Sequence, residues 1–271
     1  MGYLLLTNDD GIDSPSLIPF IEALSTLAPI KTIVPTQERS WISKAITRFG
    51  NIRIERIKQN GLEIHTVEGS PADCVQIGIH SLFDRPPEMI ISGINLGLNH
   101  GLAFFTSSGT IGAAIEGAIA GIPSVAFSTG DLKNHNTWGP YAWSASREEL
   151  WNRAAELSVD LLSSVRDVEF PQKANILSVN FPHNADIATP RVITRLATTD
   201  YKNLFHQSQP GLFTHKFSGE LHAREDIKGT DLETLTNGSV SVTPIRLAHA
   251  VETELSFCNA IERKPTKRTS T

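Results

Sequence analysis

Tyr3-Leu4-Leu5-Leu6-Thr7-Asn8-Asp9-Asp10-Gly11 runs from largely apolar residues, through a threonine, to an amide, two adjacent carboxylates and a glycine. An apolar run without alternation predicts a strand buried on both faces, as in a parallel sheet under helices. In such sheets ligands bind beyond the carboxyl ends of the strands, where Asn8, Asp9 and Asp10 fall. Neighbouring carboxylates repel each other unless a proton or a cation sits between them. Hard divalent cations such as Mg²⁺ take oxygen ligands of this kind. Gly11 frees the backbone to turn sharply. Asn-Asp-Asp-Gly is also ordinary turn chemistry, so the remainder of the chain has to decide between a solvated turn and a site.

Outward from this stretch, strands and helices alternate. Asp13-Ser14-Pro15 predicts a helix start, with Asp13 as the capping residue and Leu17, Ile18, Ile21, Leu24 and Leu27 at near-helical spacing. Ile30 to Val34 reads as the second strand. The loop from Pro35 to Phe49 carries Glu38-Arg39-Ser40-Trp41-Ile42-Ser43-Lys44 and leaves a strand end, so it can face the same side as Asp9 and Asp10. Strand-like runs flank Asn60-Gly61, the strongest hairpin signal in the chain. Ser70-Pro71-Ala72-Asp73 predicts a capped helix with Asp73 in its first turn.

Met89-Ile90-Ile91-Ser92 is the next buried strand, leading into the glycine-rich loop Gly93 to Gly101 with Asn95 and Asn99. Thr106-Ser107-Ser108-Gly109-Thr110 then enters a helix rich in small residues, Ile111 to Gly121, which would lie close to the sheet. A hydroxyl- and glycine-rich turn at a helix start suits an anion, because free N–H groups and the helix dipole both face it. A plain N-cap accounts for the same residues. Pro123 to Ser128 is a further strand, and Thr129 to Ser146 is a polar loop in which Trp138, Tyr141 and Trp143 are read as a lid, a packing patch or an interface. A helix over residues 147–164 and a strand from Asn175 to Asn180 follow.

The predicted fold class is therefore α/β: a doubly wound, Rossmann-like, three-layer core over residues 1–182. Short strand-like pieces (Arg191 to Leu196, Leu212 to Phe217, Ser239 to Thr243) predict a smaller β-rich extension over residues 183–263, expected to act as an oligomerisation arm. Residues 264–271 read as a flexible polar tail.

With 271 residues, 40% of them hydrophobic and 20% charged, the chain has the composition of a globular protein. Its net charge of −5 gives no basic footprint for duplex nucleic acid. Two distant cysteines, Cys74 and Cys258, fit a reducing compartment. No apolar run approaches a membrane span and the N-terminus lacks signal-peptide flanks, so a cytoplasmic protein is expected. The Gly-x-Gly-x-x-Gly fingerprint, the Walker A pattern and His-Glu-x-x-His do not occur, which argues against a nicotinamide-linked dehydrogenase, a P-loop NTPase and a zincin protease. An oxygen-ligand metal site beside a helix N-terminus is the equipment for phosphoryl hydrolysis. The rival is a phosphate or nucleotide binder that does not hydrolyse, for which paired carboxylates would be a burden.

Five ordered motifs carry a resemblance. They are Thr-Asn-Asp-Asp-Gly, Glu-Arg-Ser, Gly-Ser-Pro-Ala-Asp-Cys-Val, Ser-Gly-Ile-Asn-x-Gly-x-Asn and Ser-Gly-Thr-x-Gly-Ala-Ala-x-Glu-Gly. Together they resemble the SurE family of metal-dependent nucleoside monophosphate phosphatases, strongly over residues 3–128 and again at Ser178 to Pro182, Gly229-Thr230-Asp231 and Val240 to Pro244. The resemblance implies one divalent metal ion per subunit, Mg²⁺ or Mn²⁺, held by Asp9, Asp10, Ser40 and Asn95. It implies phosphate contacts on Asn99, Ser108, Gly109 and Thr110, and a catalytic set of Asp9 and Asp10 with Asn8 beside the metal. The implied activity is that of a 5′-nucleotidase acting on nucleoside 5′- and 3′-monophosphates and on short polyphosphate. The implied assembly is a homodimer or tetramer. Three positions depart from the commonest family pattern: Trp41 and Ser16 stand at frequent glycines, and Ser107 at a frequent tyrosine. These departures bear on loop shape and base preference.

Overall fold

The computed structural model describes residues 2–132, 147–166, 174–217 and 221–247. Trp138, Tyr141, Trp143, Cys258 and the tail from Lys264 lie outside the described residues. The strands are β1 (Leu4–Thr7), β2 (Ile30–Pro35), β3 (Ile54–Gln59), β4 (Leu62–Val67), β5 (Met89–Leu96), β6 (Ser124–Gly130) and β7 (Ile176–Pro182). They continue with β8 (Arg191–Ile193), β9 (Thr199–Asp200), β10 (Phe205–Gln209), β11 (Leu212–His215), β12 (His222–Ala223) and β13 (Val240–Ile245). The helices are α1 (Leu17–Leu24), α2 (Pro71–Ile77), α3 (Gly101–Ser107), α4 (Gly109–Ile119), α5 (Glu148–Arg166) and α6 (Asp231–Thr236).

The core is a nine-stranded mixed sheet in the order β3-β4-β2-β1-β5-β6-β7-β13-β8. Six central strands from β4 to β7 are parallel, as the apolar runs require; β3 and β13 pair antiparallel at the two flanks. All four residues of β1 are buried, because helices cover both faces. Leu4 and Leu6 pack with α1 and α5, whereas Leu5 packs with α2 and the start of α4. The Asn60-Gly61 turn has both φ values positive, 49° and 81°, the geometry of a two-residue hairpin between β3 and β4. Ser70 caps α2 reciprocally with Asp73: its hydroxyl accepts from the Asp73 N–H, and Asp73 accepts from the Ser70 N–H. Cys74 is buried in this layer, and burial raises its thiol pKa, so it behaves as a small apolar residue. Among the described residues no single helix is long and apolar enough to cross a membrane.

Three expectations change. Asp13 does not cap α1: it is exposed in a turn closed by the Ser14 N–H on the Gly11 carbonyl and the Leu17 N–H on the Ser14 carbonyl, and the helix starts at Leu17. Ser16 sits at that start, fully buried, with its hydroxyl donating to the Ile94 carbonyl at 2.9 Å. The hydroxyl-rich stretch before Gly109 is not a simple turn, since Gly101–Ser107 forms α3, broken from α4 at Ser108. The region read as a C-terminal extension is only partly peripheral. Its strands β8 and β13 complete the central sheet, while β10 and β11 form a separate hairpin with Phe205, Leu212 and Phe213 exposed.

Asp231 ties this region back to the core. Its carboxylate accepts from the backbone N–H groups of Gly101 at 2.7 Å, Ala197 at 2.9 Å and Leu232 at 2.8 Å. Burial pushes its pKa up, and those three donors oppose the shift. Asp231→Asn puts an NH₂ group against one of these buried donors and should cost about 1–3 kcal/mol. A lower urea midpoint at unchanged m-value would show it; an unchanged midpoint would refute it.

Candidate active site

β1 sends its chain leftward to β2 and has β5 on its other side, so the order reverses between β1 and β5. That crevice is where ligands bind in open α/β sheets. The loops leaving β1 and β5 meet there. The Leu96 N–H donates to Asp10 Oδ2 at 3.1 Å, joining the two. Asn8 bridges its own turn at both ends, donating from Nδ2 to the Gly11 carbonyl and accepting on Oδ1 from the Gly11 N–H, each at 3.0 Å. It thereby fixes the direction in which Asp9 and Asp10 leave the strand. Gly11 has φ +82°, and a Cβ there would meet the Gln37 backbone at 2.8 Å.

The loop after β2 is held over the carboxylates from several sides. The Arg39 N–H donates to the Asp9 carbonyl at 2.7 Å, and the Ser43 N–H to the Ser107 carbonyl at 2.9 Å. Ser70 donates to the Ala45 carbonyl, Thr47 bonds to Asp73 through both its N–H and its hydroxyl, and Lys44 pairs with buried Glu116 at 2.5 Å. These contacts place Ser40, whose hydroxyl donates to Glu38 Oε1 at 2.6 Å. With its proton directed to Glu38, the Ser40 oxygen presents lone pairs elsewhere.

The third component is the N-terminus of α4. Ser108 caps it, accepting from the Ile111 N–H at 3.2 Å. The Thr110 hydroxyl and backbone N–H both donate to the Asp9 carboxylate. The helix start therefore already faces one negative group, as its dipole favours. Gly109 permits the approach: a Cβ there would lie 2.8 Å from Asp9 Cβ and 3.0 Å from the Arg39 carbonyl oxygen. Asn99 is placed by its N–H on Asn180 Oδ1 at 2.7 Å and its Nδ2 on Ser128 Oγ at 2.8 Å. Asn95 donates from Nδ2 to the Gly97 carbonyl at 2.6 Å, which leaves its Oδ1 as the free acceptor end.

A cavity of about 260 Å³ lies among these parts, and Asp9, Asp10, Ser40, Asn95, Asn99 and Ser108 all line it. Gly109 and Thr110 adjoin it through Asp9; Asn8 sits beneath in the turn. Glu38, Trp41, Phe104 and Phe217 line the same cavity; in the sequence Glu38 stands out only as part of the Glu-Arg-Ser motif and Trp41 only as a departure bearing on loop shape and base preference, while Phe104 and Phe217 carry no signal there. Both carboxyl pKa values are raised. Burial is the main cause for each, and Asp9 adds repulsion on Asp10. The other charged group acting on the pair, Glu38, is also acidic. Among the described residues no three His, Cys, Asp or Glu side chains gather into a metal cluster. A cation here would draw on two carboxylates and neutral oxygens.

A sequence model of the family described as Survival protein SurE matches residues 4–203. The chain belongs to the SurE family. It is 34% identical over 248 residues to the 5'-nucleotidase SurE of Methanocella arvoryzae, spanning 90% of this chain and 91% of that protein. It is likewise 34% identical over 250 residues to the 5'-nucleotidase SurE of Geotalea daltonii, spanning 90% and 92%. The crystal structure of the SurE protein from Aquifex aeolicus superposes with a TM-score of 0.72 at 29% identity, covering 96% of this chain and 98% of that one. The SurE match spans all three loops that build the cavity, from Asp9 to Thr110, and extends to β9.

Proposed function

We propose that this protein is a metal-dependent phosphomonoesterase hydrolysing nucleoside 5′- and 3′-monophosphates to nucleoside and phosphate, with short polyphosphate as a further substrate. The observation that carries the reading is the buried pair Asp9 and Asp10, facing a cavity whose other charged group is again acidic. Such a pair suits a site that holds a cation when working. The donor set fits one: carboxylate oxygens from Asp9 and Asp10, the Ser40 hydroxyl and the Asn95 amide oxygen are all hard ligands suited to Mg²⁺ or Mn²⁺. The relatives named 5'-nucleotidase SurE support the substrate class.

A divalent ion bound there supplies a Lewis acid that offsets phosphoryl charge and lowers the pKa of a water. The chain's own residues do the rest. Thr110 holds Asp9 in one orientation through two donors, and Leu96 holds Asp10. Either carboxylate can steer the attacking water and accept its proton. Glu38 orients Ser40 from outside the ligand set, as partners of metal ligands commonly do. Ser108, whose oxygen serves the cap, keeps its O–H to donate to a phosphoryl oxygen, and Asn99 offers its amide beside it.

The test is phosphate release from adenosine 5′- and 3′-monophosphate with Mg²⁺, Mn²⁺ or EDTA. Release that depends on metal and stops with EDTA is expected. Folded protein that releases none with any metal would overturn the reading.

A further inference from the structure

The cavity is lined by both acidic and aromatic side chains. Trp41, Phe104 and Phe217 line it together with the carboxylates. These rings come from separate segments: Trp41 from the loop after β2, Phe104 from α3, and Phe217 from the chain leaving β11. They form one cluster with Tyr201. Ring centroids lie 6.0 Å apart for Trp41 and Phe104, 5.7 Å for Trp41 and Phe217, 5.2 Å for Trp41 and Tyr201, and 5.5 Å for Phe104 and Phe217. Tyr201 is pinned to α3 through its hydroxyl, which bonds to Ser107 Oγ at 2.6 Å and to the Ala103 carbonyl.

Two features of Trp41 are not those of a core residue. It remains 42% exposed despite its ring contacts, whereas Phe104 behind it is 7% exposed. Its backbone has φ +61°, a conformation that bulky side chains rarely adopt. A large ring is thus held at a position that glycine would occupy without strain, next to Ser40 and facing the cavity. Its ring neighbours meet it at 44–79°, so none is a parallel stack. Exposed aromatic faces are sequence-tolerant platforms for planar bases.

We infer that Trp41 and Phe217 form a stacking platform for the base of the nucleotide whose phosphate lies at Asp9, Asp10 and Ser108; this rests on the phosphomonoesterase reading above. The platform explains why a segment distant in sequence, the end of the β10–β11 hairpin, is brought to the cavity at all. It makes Trp41 and Phe217 specificity-determining residues that separate nucleotides from base-free phosphate monoesters.

The experiment compares kcat/KM on adenosine 5′-monophosphate with kcat/KM on ribose 5-phosphate, which carries the same ester without a base. The ratio should fall about tenfold in Trp41→Gly and in Phe217→Ala, and stay within about threefold of wild type in Trp41→Phe. Glycine relieves the backbone at position 41, so loss of the ratio there cannot be assigned to a strained loop. Circular dichroism confirms folding of each variant. An unchanged ratio in both Trp41→Gly and Phe217→Ala overturns the platform and leaves the cluster a packing feature. If wild-type protein hydrolyses neither ester, the phosphatase reading fails, and the platform is then judged by binding. Adenosine 5′-monophosphate should quench tryptophan fluorescence in wild type, with that quenching lost in Trp41→Phe. No quenching overturns it.

Discussion

Asp9→Asn should lower metal-dependent phosphate release by at least about 100-fold, the scale lost when one preorganised electrostatic partner leaves a catalytic site. In the metal-free protein the same change should raise stability. Asp9 and Asp10 are adjacent, both nearly inaccessible to water, and the further charge acting on them is that of Glu38. At a pH high enough to ionise both, neutralising one member removes a buried repulsion without changing shape, and the gain shrinks as the pH falls and a proton takes its place. The amide oxygen still accepts from the Thr110 hydroxyl and the side chain keeps its shape against Gly109 and α4; the contact with the Thr110 N–H weakens, which trims the gain. Relief of buried like charge is worth about 1 kcal/mol or more, which is roughly 2–4 °C in Tm for a chain of this size. Thermal unfolding in EDTA and phosphate release with Mn²⁺ read the two effects separately. Opposite signs are expected, because a site built to hold a cation is destabilising without one. A variant that is both less active and less stable without metal would mean that Asp9 serves the fold and not a cation.

Much of this arrangement is legible in the residues because it is local. Leu4 to Leu6 show no alternation, so burial on both faces and a parallel sheet follow, and with them the placing of Asp9 and Asp10 at a strand end. Asn60-Gly61 and Ser70-Pro71-Ala72-Asp73 carry their conformations in their own chemistry, and both turn out as read. Asp13 misled because a good capping residue is only an option. The Gly11 and Ser14 carbonyls closed successive turns first, and the buried Ser16 hydroxyl found Ile94. α3 was hidden by its length of seven residues, enclosed by glycine and serine that read as loop. The aromatic wall was illegible for a different reason. Trp41 and Phe217 are far apart in sequence, neither sits in a periodic pattern, and only the closed fold brings them to 5.7 Å. The C-terminal strands fall between these cases. Ser239 to Thr243 reads as a strand, but the insertion of β13 (Val240–Ile245) beside β7 depends on an antiparallel pairing that no local signal specifies.

Gly112→Ala should cut kcat/KM by at least about tenfold with little loss of stability, whereas Gly117→Ala should do the reverse. Both lie in α4, where alanine is favoured over glycine by about 1 kcal/mol on helix propensity alone. What each new methyl would meet is different. At Gly112 a Cβ would stand 2.3 Å from the Ser43 carbonyl oxygen and 2.9 Å from Lys44 Cα, which are backbone atoms of the loop carrying Ser40 and Trp41. Ser43 is exposed, so the loop yields locally there while its anchors at Lys44, Ala45 and Thr47 hold, and the fold loses little. That yielding moves Ser40 relative to Asp9 and Asp10, and displacements of about 1 Å in a reacting constellation can cost on the order of 100-fold. At Gly117 a Cβ would stand 2.5 Å from Ile90 Cγ1 and 2.5 Å from Ser124 Oγ, fully buried atoms of β5 and β6. Overpacking there should cost about 1–3 kcal/mol, partly offset by propensity, while the loops at the strand ends keep their places. Urea midpoints and kcat/KM normalised to folded protein separate the two outcomes. Full activity in Gly112→Ala would show that the loop tolerates displacement and that Ser40 is not held to the cavity by its contact with α4. A small-residue helix thus serves two ends: Gly117 lets it lie on the sheet, and Gly112 lets the loop with Ser40 lie on it.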